Sequence, residues 1–149
     1  APVRILCVGR LVAAKGQHVL IEAAARLHAS GRRFRLVLVG GGPDDDSLRG
    51  AVRAAGLDAV IEFTGPLDQG YAAGAPYDVI LLNGSVADIP GALLAQLKEQ
   101  GRLVAIIAHG GPGKAYLFVK AGAQASGVPH FDAGAKPLPG FARAPCFTF

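Results

Sequence analysis

At 149 residues the chain is long enough to bury a core, and 51% apolar against 17% charged residues excludes the disordered class. The formal charge of +4 is mild. Arg32, Arg33 and Arg35 cluster without interleaved aromatics, which argues for cations complementing a helix end and against a nucleic-acid surface.

The first elements alternate. Val3–Val8 is a short apolar run ending at Gly9, the pattern of a buried parallel strand. Residues 16–29 have helical spacing, with Val19, Leu20, Ala23, Ala24 and Leu27 on the face predicted to turn inward and Gly31 as the C-terminal cap. Phe34–Val39 is a second buried strand, stopped by Gly40-Gly41-Gly42-Pro43. Asp44, Asp45 and Asp46 open a second helix, where negative charge suits the dipole, and residues 60–64 form a third strand.

A Gly-, Ala- and Pro-rich stretch follows, and residues 66–76 are the expected internal seam. Residues 77–82 resume as a strand, with Asn83-Gly84-Ser85 as the turn beyond it. Asp88 is expected to cap a helix with Pro90 in its first turn and Leu93, Leu94 and Leu97 facing the sheet, ending at Gly101. Residues 102–108 read as the fifth strand. Residues 115–120 and 145–149 read as an antiparallel pair joined by a long stretch without helical period. Gly110-Gly111-Pro112-Gly113-Lys114 has a phosphate-loop composition, but it precedes a strand and is read as a turn. The alternation predicts one α/β domain over residues 1–149. It would be a Rossmann-like three-layer sandwich on a seven-stranded, mostly parallel sheet in the methyltransferase-like order 3-2-1-4-5-7-6.

Residues 1–67 resemble the donor-binding Rossmann domain of retaining (group 1) glycosyltransferases. Val8-Gly9-Arg10-Leu11, Lys15-Gly16 and Leu20-Ile21-Glu22-Ala23 match that family's opening signature. Residues 36–43 match its LVLVGxGP segment, and Val60-Ile61-Glu62-Phe63-Thr64-Gly65 a third. The resemblance implies that Arg10 and Lys15 hold the diphosphate of a nucleotide sugar. Gly9 and Gly16 would supply the turn and the exposed amides at a helix N-terminus. Asp44 is a candidate acceptor for ribose hydroxyls, beside its plainer reading as an acidic helix start. The family's paired-Glu segment and its acceptor domain have no counterpart in this sequence.

Residues 75–149 resemble the C-terminal half of protein-L-isoaspartate O-methyltransferases. Ala75-Pro76-Tyr77-Asp78-Val79-Ile80 matches that family's APYDVI strand, and residues 89–98 with Gly101-Arg102-Leu103-Val104 match its helix and following strand. The sequence departs at Asn83-Gly84 and at Gln100, where the family usually carries Gly. Asn83, Gly84 and Ser85, at the ligand edge of such a sheet, are candidate contacts for S-adenosylmethionine or a nucleotide. The family's glycine-rich loop and substrate-binding N-terminal segment are missing, and the first-strand loop carries bulky residues at Arg10 and Leu11. Asp78, at the start of its strand, is expected to be structural.

The four histidines have no metal-ligand spacing, and no nucleophile triad is present, so no metal site and no catalytic residue is assigned. Cys7 and Cys146 read as buried free thiols. The apolar runs are too short to cross a bilayer and no basic-then-apolar leader opens the sequence. The expectation is a cytoplasmic chain without membrane contact or obligate protein partner. Functionally, it reads as a chimera of two transferase fragments without efficient catalysis, with weak nucleotide or diphosphate binding. The alternatives are an S-adenosylmethionine-dependent isoaspartate methyltransferase and the nucleotide-sugar-binding half of a glycosyltransferase.

Overall fold

Continuous apolar runs make the central strands, because a strand buried on both faces has no polar side to show. A computed structural model describes residues 1–66, 70–138 and 141. In it β1 (Val3–Val8) and β2 (Phe34–Val39) pair in parallel, and β3 (Ile61–Gly65) adds to β2. On the other side of β1 lie β4 (Tyr77–Val86) and β5 (Leu97–Ile107), also parallel. Then β6 (Gly113–Ala121) and β7 (Gln124–Ala133) continue the sheet as an antiparallel meander. The order of the seven-stranded sheet is β3-β2-β1-β4-β5-β6-β7.

The sheet is the expected Rossmann-like one, with a correction at its end. The order 3-2-1-4-5-7-6 is replaced by 3-2-1-4-5-6-7, because β6 pairs directly with β5 and a tight turn through Gly122 returns the chain as β7. Gly122 has φ 63°, the left-handed conformation that such a turn requires. β7 falls in the stretch read as irregular; residues 145–149 and Cys146 lie outside the described residues.

Helices cover both faces. α1 (Gln17–Ala29) and α2 (Asp45–Ala54) pack on one face, where Cys7, Leu11, Ile21, Ala24, Leu36, Leu38, Leu48, Val52 and Ile61 form a core. On the other, Leu6, Val8, Val37 and Val39 meet Tyr77, Ile80, Leu93, Leu97, Leu103 and Ala105. The face of α1 differs from the expected one. Gln17, Ile21 and Ala24 turn inward, while Val19 and Leu27 are exposed.

The helix expected from Asp88 to Gly101 shrinks to α3 (Gly91–Ala95), with Pro90 as N-cap and Leu97 already in β5. The chain leaves the helix early because Tyr77 N–H donates to the Gln96 carbonyl at 2.8 Å and starts the ladder there. Between Leu97 and Arg102, β5 makes an irregular detour in which Gln100 takes φ 61°.

The two sides of β1–β4 are also tied at their entry ends. The Arg4 amide donates to Asp78 Oδ2 at 2.9 Å, and the Arg4 guanidinium donates to the Gly74 carbonyl at 2.9 Å. Lys98 adds an ion pair to Asp78 at 3.3 Å. These contacts hold the Asp78 carboxyl below its ordinary range, the Arg4 amide foremost. Asp78 is thus structural, as its position implied. No helix among the described residues is long and apolar enough to cross a membrane.

Candidate functional site

The carboxyl edge of β1 and β4 is where strand order reverses, the place where open α/β sheets gather ligands. Gly9 follows β1, and its amide donates to the Val39 carbonyl at 2.9 Å. The loop beyond it locks onto the loop after β2: Leu11 N–H donates to the Gly41 carbonyl, and Asp44 N–H to the Leu11 carbonyl, each at 3.1 Å. The two backbones come so close that a Cβ at Gly40 would lie 1.8 Å from the Gly9 carbonyl oxygen. Only glycine fits there, and a Cβ at Gly42 would lie 2.4 Å from the Leu11 carbonyl oxygen, so packing explains Gly40 and Gly42, while Gly41 has room for a side chain.

A short 3-10 turn, Ala13–Lys15, then leads through Gly16 (φ 68°) into α1. Among the described residues no side chain caps that helix and no acidic residue stands in its first turn. Val19 N–H donates to the Gly16 carbonyl at 3.0 Å, which leaves the Gln17 and His18 amides for solvent or an anion. Arg10 is exposed and Lys15 part-buried beside this end. Two side chains shape the loop. Gln17, 2% exposed, donates from Nε2 to the Arg10 carbonyl at 2.6 Å. Asn83 lies inside β4, which runs on through Gly84 and Ser85 to Val86 where a turn was expected, and it donates from Nδ2 to the Lys15 carbonyl at 2.7 Å. The Gln17 Oε1 has no partner among the described residues.

Gly9, Arg10, Lys15, Gly16 and Asn83 therefore come together around one loop. Gly9 faces Asn83 closely enough that a Cβ would sit 2.9 Å from the Asn83 Cβ. Asp44 stands apart, on the wall of a cavity of about 210 Å³ with Val12, Ala13, Gln17, His18, Ser47 and Leu48. Gly84 and Ser85 are buried under a strap of chain. Ser85 N–H donates to the Lys136 carbonyl at 3.0 Å, and Leu138 N–H returns a bond to the Ser85 carbonyl at 2.9 Å. A Cβ at Gly84 would lie 2.6 Å from Leu138 Cγ, so the glycine makes room for the strap.

Electrostatics at this edge is cationic. The Lys15 amine is pushed below its ordinary value, by partial burial first and by the charge of Lys136 second. The sequence offered no sign of Lys136 or Gln17. The first lies in an aperiodic stretch, and the second is a polar residue on the inward face of a helix. Among the described residues no cluster of three His, Cys, Asp or Glu side chains could hold a metal.

Comparison with known proteins gives two sets of likenesses. The family described as glycosyl transferases group 1 matches residues 2–73. A Salmonella typhimurium protein that carries the name colanic acid biosynthesis glycosyltransferase WcaL is 34% identical over 142 residues, covering 90% of this chain. Protein-L-isoaspartate O-methyltransferase 2 of Archaeoglobus fulgidus is 41% identical over 56 residues, or 38% of this chain. The chain spans 34% of the first relative's length and 26% of the second's.

Among solved structures, a protein-L-isoaspartate O-methyltransferase superposes with TM-score 0.75 at 23% identity, covering 93% of this chain and 43% of its own. A Plasmodium falciparum structure described as such a methyltransferase, with S-adenosyl-L-homocysteine bound, gives 0.71 at 17%, covering 93% of this chain and 66% of its own. At those identities the likeness is one of fold. The chain is transferase-like on both sides: glycosyltransferase-like and methyltransferase-like, on a Rossmann-like methyltransferase fold.

Proposed function

We propose that this chain is a single Rossmann-like domain joining two transferase fragments near residues 66–76, binding a nucleotide diphosphate weakly and lacking efficient catalysis. The observation that carries the binding is the loop from Gly9 to Gly16. Arg10 and Lys15 flank an uncapped helix N-terminus, and Gln17 and Asn83 fix the loop by hydrogen bonds to the Arg10 and Lys15 carbonyls. Such a loop supplies charge and free amides to phosphate oxygens. Asp44 borders the neighbouring cavity, where a ribose or sugar hydroxyl could donate to it. Support for the join comes from the group 1 match ending at residue 73 and from a separate methyltransferase likeness.

A methyltransferase reading is disfavoured because Leu138 occupies the space over Gly84 and because Arg10 and Leu11 stand in the first-strand loop. The second reading is the nucleotide-sugar-binding half of a glycosyltransferase. It is favoured by the WcaL alignment, which runs through 90% of the chain and so past the proposed join.

Amide NMR titrations with UDP, GDP and S-adenosylmethionine, run separately, test this. The expected result is shifts confined to residues 9–16 and 40–46 with UDP or GDP, and none with S-adenosylmethionine. Saturable shifts near Asn83–Ser85 with S-adenosylmethionine, or methyl transfer to an isoaspartyl peptide above background, would overturn it.

A further inference from the structure

We propose that Lys136 is a third cation of the phosphate site, carried by the 136–138 strap to the side of Lys15. The inference rests on the diphosphate reading above and adds a group from the far end of the chain. Its geometry is set by β4. The Lys15 carbonyl accepts from the Asn83 side chain at 2.7 Å, and the Lys136 carbonyl accepts from the Ser85 amide at 3.0 Å. Two residues of one strand thus pin two lysine backbones that are distant in sequence. Pro137 bridges Ser85 in parallel, and Leu138, 4% exposed, plugs the core below. The strap is therefore anchored at Lys136 itself and at the two residues that follow it.

Neither lysine has an ion-pair partner among the described residues. Two ammonium groups without a carboxylate between them repel, and a polyanion seated between them removes that repulsion while gaining both attractions. The lowered Lys15 amine, with Lys136 among its causes, agrees with this arrangement. Arg10 lies in the same loop as Lys15, so the inference adds Lys136 to two cations already near the start of α1. The strap has a double effect. It fills the sheet edge over Gly84 and places a positive charge beside it.

Pyrophosphate titration of the whole chain by calorimetry tests the inference, with Lys136→Ala, Lys15→Ala and Arg53→Ala compared. Arg53, an exposed residue in the last turn of α2, controls for loss of one charge. Expected are wild-type binding that weakens with salt and an affinity about three- to fivefold lower for Lys136→Ala, the range of a solvent-facing ion pair, with Arg53→Ala unchanged. NMR of the Lys15 side chain should show its amine titrating higher in Lys136→Ala, in the absence of any ligand. Wild type that binds no pyrophosphate sinks the diphosphate reading and this inference together. Binding with Lys136→Ala equal to Arg53→Ala, or a Lys15 amine that does not move, overturns the inference alone.

Discussion

The two faces of the sheet differ in where their residues come from. The fully buried residues of the core under α1 and α2 run from Cys7 through Ile61, and Phe63 and Leu81 pack against them part-buried. The opposite core mixes Leu6, Val8, Val37 and Val39 with Tyr77, Ile80, Leu93 and Leu103 from beyond the proposed join. Alternation along β1 and β2 makes this division, since successive side chains of a strand point to opposite faces. If the chain is a chimera, most of the unfamiliar packing lies on one face, with Leu81 of β4 reaching the other. Yet Leu6, Ile80, Leu93 and Leu103 on that face are 0% exposed.

Truncation tests the comparison most strongly. Leu38→Ala on the first face and Leu6→Ala on the mixed face should each cost about 3 kcal/mol. Both should unfold in one denaturant transition, because β1 contributes to both cores. A loss below about 1 kcal/mol for Leu6→Ala would show a loosely packed mixed face. Two transitions, one untouched by Leu38→Ala, would break the idea of a single domain.

A smaller effect belongs to the entry end. Asp78→Asn removes a carboxylate that accepts the Arg4 amide across β1 and β4, and should cost about 1 kcal/mol after allowance for partial exposure. The folded-state value is lowered, so this stabilisation is fully present above the unfolded value of about 3.9 and fades as pH falls through the folded value. Denaturation of wild type and variant should therefore differ at pH 6 and converge towards pH 2. A constant difference would mean that the charge contributes nothing.

The smallest change should be stabilising. Gln100 holds φ 61°, where a side chain crowds its own backbone. Gln100→Gly should raise stability by about 0.5–1 kcal/mol, the strain relieved less the entropy that glycine adds to the unfolded chain. A lower thermal midpoint would mean that the glutamine side chain compensates for its backbone.

The parallel part of the fold was legible in the sequence because Ile5–Val8 and Leu36–Val39 are continuous apolar runs, with Arg4 and Arg35 exposed and only at the entry ends. β7 was not, and for the converse reason. It is the sheet's last described strand and its side chains are mostly exposed, so no apolar alternation marks it. The face of α1 misled because burial there goes to Gln17, whose carboxamide serves the Arg10 carbonyl, while Val19 faces solvent. At the site, the glycine turn with Arg10 and Lys15 could be read locally. Lys136 could not, because only the Ser85 ladder bonds bring it there.

β7 is the outermost strand among the described residues. An outer strand presents backbone donors and acceptors with which a neighbouring segment can pair, and Val128 and Phe131, 56% and 66% exposed, add apolar surface to it. Pro129 withdraws one donor in mid-strand, opposite Tyr116, where the register of β6 also slips. The strand that contributes least to the interior thus carries a proline of the kind that interrupts pairing along a sheet edge.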